Sequence, residues 1–267
     1  RMVKMSRFSD KVAIITGGAS GIGKKTAEMF IEQGGKVLIG DIDEDAGEIV
    51  SLEIAEKFGK DSVRYMYLDV SNPEHCKSAV DFASSEFGSI NCLLNSAIKM
   101  APGMLKDLSL KDWNTMVNIG LTGTFLMTQA AGRWMIKNKT PGSIVNMSSI
   151  GGRQPYGMSG AYSTVKAAVI MLAEHFGIEW GGHNVRVNSI CAGHTETPLT
   201  AYLKDPEIKK GRSEVTPLQR VAQPIDIANG ILFLFSEEAD YITATAIDID
   251  GGITKSVMNH MPGRKWK

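Results

Sequence analysis

At 267 residues with a hydrophobic fraction of 43%, the chain is long enough to build one large α/β domain. Lys plus Arg equals Asp plus Glu at 29 each, so the formal net charge is zero and no basic field exists to attract nucleic acid or an anionic membrane surface. The three cysteines, Cys76, Cys92 and Cys191, form neither a CxxC pair nor an even framework, which points to a reducing, cytoplasmic setting; no metal site, no secretory signal and no apolar run of about 18 residues is found.

Short apolar β-rich runs alternate with longer helical patterns along the whole chain, the signature of a parallel sheet covered on both faces. The first predicted strand, Lys11–Thr16, leads into Gly17-Gly18-Ala19-Ser20-Gly21-Ile22-Gly23 and a helix over 23–33. Glycines in such a turn let backbone N–H groups approach a pyrophosphate, and the helix start adds partial positive charge. The spacing is Gly17-xxx-Gly21-x-Gly23, not GxGxxG. The second strand, Lys36–Asp41, ends on an acid that can accept hydrogen bonds from ribose hydroxyls and repel a 2′-phosphate. Ile42-Asp43-Glu44-Asp45 follows it without an arginine, which favours NAD over NADP. The other role open to Asp41 is N-cap of the helix predicted over 44–58.

The third strand, Val63–Leu68, runs into Asp69-Val70 and a helix over 73–87; Asp69 is placed either to meet an adenine amino group or to act as a cap or turn residue. Strand Asn91–Ser96 precedes a helix over 109–137, with Asn118 mid-helix near Gly120 and Gly123, which weaken helix propensity. Strand Ser143–Ser148 is followed by a helix over 161–181. Strand Val185–Ala192 opens onto a polar, lysine-rich excursion over 194–215 that lies past a strand's carboxyl end, where ligands bind, and reads as a mobile lid. A helix over 224–236 and strand Ala246–Asp250 complete the pattern. The tail, about 254–267, is basic at its end and reads as disordered or as packed on a neighbouring subunit.

Within the helix over 161–181, Tyr162 and Lys166 stand four apart and share a face. A free tyrosine titrates near pH ~10, too high for a base at neutral pH, and a fixed positive charge is expected to lower that value. A tyrosine held this way can exchange a proton with an alcohol or carbonyl. YxxxK alone is common on exposed helices, so the weight rests on its company.

That company is Thr16-Gly17-xxx-Gly21-Ile22-Gly23, Asp69-Val70, Asn118, Ser148-Ser149, Tyr162-xxx-Lys166 and Asp250-Gly251-Gly252, with Ser149 thirteen residues before Tyr162. With these, the chain resembles the short-chain dehydrogenase/reductase family, in its branch of about 250 residues, over roughly residues 8–253. The resemblance implies one Rossmann domain, a doubly wound seven-stranded parallel sheet of order 3-2-1-4-5-6-7, and a homotetramer in the cytoplasm. It implies an NAD-dependent oxidoreductase that passes hydride between cofactor and a secondary alcohol or ketone. Tyr162 would be the general acid or base and Ser149 a donor to the substrate oxygen. Lys166 would also bind the nicotinamide ribose, and Asn118 would hold a water. Cofactor residues by the same resemblance are Gly17, Ser20, Gly21, Ile22, Gly23, Asp41, Asp69, Val70, Asn95, Ala97, Tyr162, Lys166, Thr195 and Thr197.

Two departures stand out. Asn95-Ser96-Ala97-Ile98 replaces the usual Asn-Asn-Ala-Gly, putting a branched side chain where glycine gives the cofactor room; Ala192-Gly193-His194-Thr195 replaces the usual Pro-Gly. Candidates for the substrate wall beside Ser149 and Tyr162 are Gln154, Tyr156, Met158, Met100, His194 and Tyr202, with His194 also readable as a plain loop histidine. The competing functions are a catalytically silent NAD-binding regulatory protein, opposed by the complete Asn118, Ser149, Tyr162, Lys166 set, and a sugar-nucleotide epimerase or dehydratase, opposed by the glycine spacing.

Overall fold

The computed structural model describes residues 6–256, so the predicted tail beyond them lies outside the described residues. Seven strands form one parallel sheet in the order β3-β2-β1-β4-β5-β6-β7. They are β1 (Val12–Thr16), β2 (Lys36–Asp41), β3 (Val63–Tyr67), β4 (Cys92–Asn95), β5 (Gly142–Ser149), β6 (Val185–Ala192) and β7 (Ala246–Ile249), each within a residue or so of its predicted span. Every residue of β1, β4 and β5 is buried, which is why these strands read as nearly unbroken apolar runs rather than as alternating ones.

Helices cover both faces. On one, α1 (Gly21–Glu32) packs on α9 (Pro224–Phe235), and Phe30 joins the stacked ring of Phe8 to the edge-on ring of Phe235. On the other lie α3 (Pro73–Phe87), α5 (Gly123–Lys137) and α7 (Tyr162–Trp180), whose buried Met127, Met135, Ala173 and Phe176 meet Ile14, Leu93 and Ile144 of the sheet. Local signals place the ends. Asp43 caps α2 (Glu44–Phe58) by accepting from Ala46 N–H, so that role does not fall to Asp41. Asn72 caps α3 ahead of Pro73, and left-handed Gly88 closes it.

Three features depart from the predicted pattern. The single helix expected over 109–137 is α4 (Leu110–Val117), a π turn over Asn118–Thr122, and α5, with Gly123 N–H donating to Asn118 O. The wider turn packs two glycines tightly: a Cβ at Gly120 would come within 2.7 Å of Ile98 and Val165, and one at Gly123 within 2.6 Å of Val70. A further helical turn, α6 (Ile150–Arg153), follows β5; it is too short to leave a periodic signal. The excursion over 194–215 is not irregular: it holds a 3₁₀ stretch (Pro198–Lys204) and α8 (Pro206–Glu214). Leu203 is buried, Lys209 pairs with Glu196 at 2.7 Å, and its base is tied by Ala222 N–H to His194 O and Glu196 N–H to Ala222 O. The segment read as a mobile lid is thus packed and tied at its base. Among the described residues, no helix is long and apolar enough to cross a membrane.

Candidate active site

The carboxyl ends of β1, β2 and β4 meet at the glycine turn. Gly17 and Gly21 take left-handed φ of +64° and +52°, which a residue without Cβ adopts at no steric cost. A Cβ at Gly17 would lie 3.0 Å from Ala97 N, and one at Gly21 would lie 3.3 Å from the Thr197 side chain. At Gly23 it would overlap the Gly17 carbonyl oxygen. Thr16, not among the residues singled out for the site, fixes the far wall: its Oγ1 accepts from Ser96 N–H at 3.1 Å and Ala97 N–H at 3.2 Å. Asp41 joins the same turn, accepting from Ala19 N–H at 3.1 Å through Oδ2 and from Asp43 N–H at 3.2 Å through Oδ1.

This cradle fits a dinucleotide on its own geometry. Ser20 stands at the N-cap of α1 but makes no side-chain capping bond, so the first N–H groups of α1, with the positive end of its dipole, face the turn uncapped. Gly17, Gly21, Ala97, Thr197 and Asp41 are brought around it. Other predicted cofactor residues are engaged elsewhere. Asn95 donates Nδ2 to Thr128 Oγ1 at 2.9 Å and Asn146 Oδ1 at 2.8 Å, tying β4 to β5 and α5 and leaving its own buried Oδ1 without a partner. Val70 is buried against Gly123, Ile22 packs partly into the core, and Thr195 is buried with Oγ1 donating to Gly193 O. Asp69 acts at least as a turn residue, accepting from Ser71 N–H at 2.9 Å and Ser71 Oγ at 2.7 Å.

At the end of β5 and the start of α7, Ser149, Tyr162 and Lys166 come together. Ser149 Oγ accepts from Gly151 N–H at 3.1 Å, which leaves its hydroxyl proton free to donate. Lys166 is buried; its Nζ donates to Met147 O at 2.6 Å and lies 5.7 Å from the centre of the Tyr162 ring. Burial pushes the Tyr162 phenol up to about 12, with the hydrogen bond from Ser149 pulling the other way. This corrects the expectation of a lowered tyrosine: removal from water outweighs the Ser149 hydrogen bond, and the charge four residues on does not bring the value down. Burial also weakens that charge, bringing the Lys166 ammonium down to about 8.

The remaining candidates divide. Tyr156 stands against Gly151, where an added Cβ would lie 3.1 Å from Cε1, and both Tyr156 and Tyr202 are within electrostatic reach of Tyr162. Gln154 is held away, its Nε2 donating to Thr254 O at 2.8 Å. Asn118 opens the π turn packed against α7, but its side chain is exposed and forms no hydrogen bond among the described residues. His194 is pushed down to about 4 by burial and by the neighbouring Arg212, so it is neutral at physiological pH and unsuited to be a second proton donor. Met158, in a left-handed conformation, is exposed, and Met100 is half-buried. The Cδ1 of Ile98 rests over Gly120 of the π turn.

Known proteins resemble the chain over most of its length. Residues 17–254 match the family model described as enoyl-(acyl carrier protein) reductase. The chain is 39% identical to the 2,5-dichloro-2,5-cyclohexadiene-1,4-diol dehydrogenase LinX of Sphingobium indicum, over 92% of this chain and 97% of that one. It is 36% identical to the trans-4-hydroxycyclohexanecarboxylate dehydrogenase of Sinomonas cyclohexanicum, over 94% and 96%. A solved short-chain type dehydrogenase/reductase from Mycobacterium ulcerans superposes with a TM-score of 0.89 at 30% identity, covering 93% of this chain and 91% of that one. The chain belongs to the short-chain dehydrogenase/reductase family and is an oxidoreductase with a nicotinamide cofactor. The silent regulatory reading finds no support among these relatives.

Proposed function

We propose that the protein is an NAD-dependent dehydrogenase or ketoreductase acting on a secondary alcohol or its ketone carried on a ring. The contact group of Ser149, Tyr162 and Lys166 carries the reading. A bound nicotinamide supplies the acceptor or donor of the hydride. Tyr162 Oη gives the proton to a carbonyl oxygen or takes it from a hydroxyl, and Ser149 Oγ–H steadies that oxygen as charge develops. Lys166 holds positive charge under the phenol, and the segment over 194–215 closes the site from above. The ring is suggested by the two named relatives, which act on ring-borne hydroxyls. The test is NADH formation by the purified protein with a panel of cyclic secondary alcohols; absence of turnover with all of them, and with their ketones and NADH, would overturn the reading.

NAD is expected to be preferred to NADP, since Asp41 closes the end of β2 beside the glycine turn with no arginine after it. A like-charge contact near 4 Å costs roughly 1–4 kcal/mol depending on screening. The ratio of kcat/KM for the two cofactors should reflect that, and Asp41→Ala should narrow it. Equal values in the unaltered protein would remove the assignment.

A homotetramer in the cytoplasm is the accompanying proposal. Met171 and Ile178 on α7 are 59% and 73% exposed, with Phe125 of α5 at 36%, a second apolar surface beyond the one that covers the sheet. Light scattering at micromolar concentration should return four times the chain mass; a monomer would contradict it.

A further inference from the structure

We propose that Arg212 of α8 anchors an anionic group on the substrate, so that the preferred substrates are cyclic secondary alcohols or ketones that also bear a carboxylate. The proposal rests on the dehydrogenase reading above and narrows it.

Arg212 Nη1 lies 3.4 Å from His194 Nε2. A guanidinium only donates, so Nε2 accepts and the imidazole proton is on Nδ1. The histidine is neutral at physiological pH and cannot share or balance the charge. The guanidinium is also within electrostatic reach of Tyr156, whose ring stands over Gly151 beside Ser149 and feels Tyr202 as well. Arg212 is thus linked to the Ser149–Tyr162 group through Tyr156, which with Tyr202 is half-exposed and within electrostatic reach of Tyr162.

No acid answers it. The carboxylates on the elements packed around α8 have other partners. Glu196 pairs with Lys209 at 2.7 Å and accepts from Gln223 Nε2. Asp226 holds Arg220 at 2.6 Å, and Asp250 accepts from Thr254 Oγ1 at 2.7 Å and Gly252 N–H at 2.8 Å. Along α8 and just past its end, the residues three and four from Arg212 are Ile208, Lys209, Val215 and Thr216, none of them acidic. Among the described residues Arg212 and Arg133 of α5 have no ion pair, whereas Arg7, Arg64, Arg153, Arg186 and Arg220 each have one; of the two, Arg212 is the one within electrostatic reach of Tyr156. An exposed arginine without a counter-charge, within electrostatic reach of the Tyr156 hydroxyl, suits a planar anion taken through two parallel N–H bonds, as a carboxylate is.

The test compares 4-hydroxycyclohexanecarboxylate with its carboxamide, as substrates with NAD and, independently of turnover, compares cyclohexanecarboxylate with cyclohexanecarboxamide as ligands of the NADH-loaded protein by calorimetry. The unaltered protein should favour the acid by about tenfold or more in kcat/KM, mostly through KM, and in affinity. Arg212→Gln should bring both ratios near one, and Arg212→Lys should keep part of the preference. Acid and amide treated alike by the unaltered protein, or an acid preference that survives in Arg212→Gln, would overturn the proposal while cyclic alcohols are still oxidised. Should no alcohol or ketone turn over, the calorimetric ratio still decides the role of Arg212 on its own.

Discussion

Replacing Tyr162 with phenylalanine should lower kcat/KM by about 10²–10⁴ in either direction while nicotinamide binding and the fold persist. Phenylalanine keeps the ring at the start of α7, over Lys166, and deletes only the oxygen that meets Ser149. With the phenol raised to about 12 by burial, Tyr162 is protonated through neutral pH in the free protein, the state required to donate to a carbonyl. Reduction should therefore hold steady across neutral pH, and alcohol oxidation should gain as pH rises toward that value. Ser149→Ala should slow both directions without moving the pH profile by more than the loss of one hydrogen bond to the phenol. A Tyr162→Phe variant that keeps more than about a tenth of the activity would assign the proton to another group.

The strands were readable because a parallel sheet buried on both faces writes itself as runs such as Val12-Ala13-Ile14-Ile15, and all seven positions held. Helix starts were readable where a capping residue and a proline coincide, as at Asn72-Pro73. The glycine turn was readable for the same reason: left-handed Gly17 and Gly21 leave a trace in composition. What escaped depends on contacts between distant segments. Where the Ile98 side chain rests depends on Gly120, 22 residues later, presented by a π turn that no local pattern announces. Thr16 is one hydroxyl in a strand until the fold brings Ser96 and Ala97 onto it. Arg212 is one basic residue in a lysine-rich stretch until the fold sets it beside His194 and within electrostatic reach of Tyr156. The error about Tyr162 has the same origin: spacing places a cation nearby, but the depth of burial that decides the sign is a property of the assembled core.

That burial makes Lys166 a liability for the fold, and the cost should be measurable. The ammonium falls from 10.5 to about 8, chiefly because it is withdrawn from water, even though Met147 O accepts from it at 2.6 Å. A lysine lowered in the folded state binds its proton more weakly there than in the unfolded chain. The folded protein is therefore penalised wherever the group is charged: in full below pH 8, and progressively less as pH rises from about 8 toward the unfolded value. At 1.36 kcal/mol per pH unit the whole penalty is about 3 kcal/mol, of which about 2 should be released between pH 8 and pH 10. Lys166→Met keeps an unbranched chain of similar length and removes the proton. Plotted against pH, the stability of the unaltered protein minus that of Lys166→Met, from urea unfolding, should climb by that amount over the interval. The buried tyrosine and cysteines are raised to about 11 or 12 when folded, so up to pH 10 their contribution comes mainly from the unfolded chain and cancels in the difference. A flat difference would mean that the ammonium is as well solvated as a free lysine. A rising one, together with lost turnover in Lys166→Met, would show that the fold tolerates a buried charge in order to keep it beneath Tyr162.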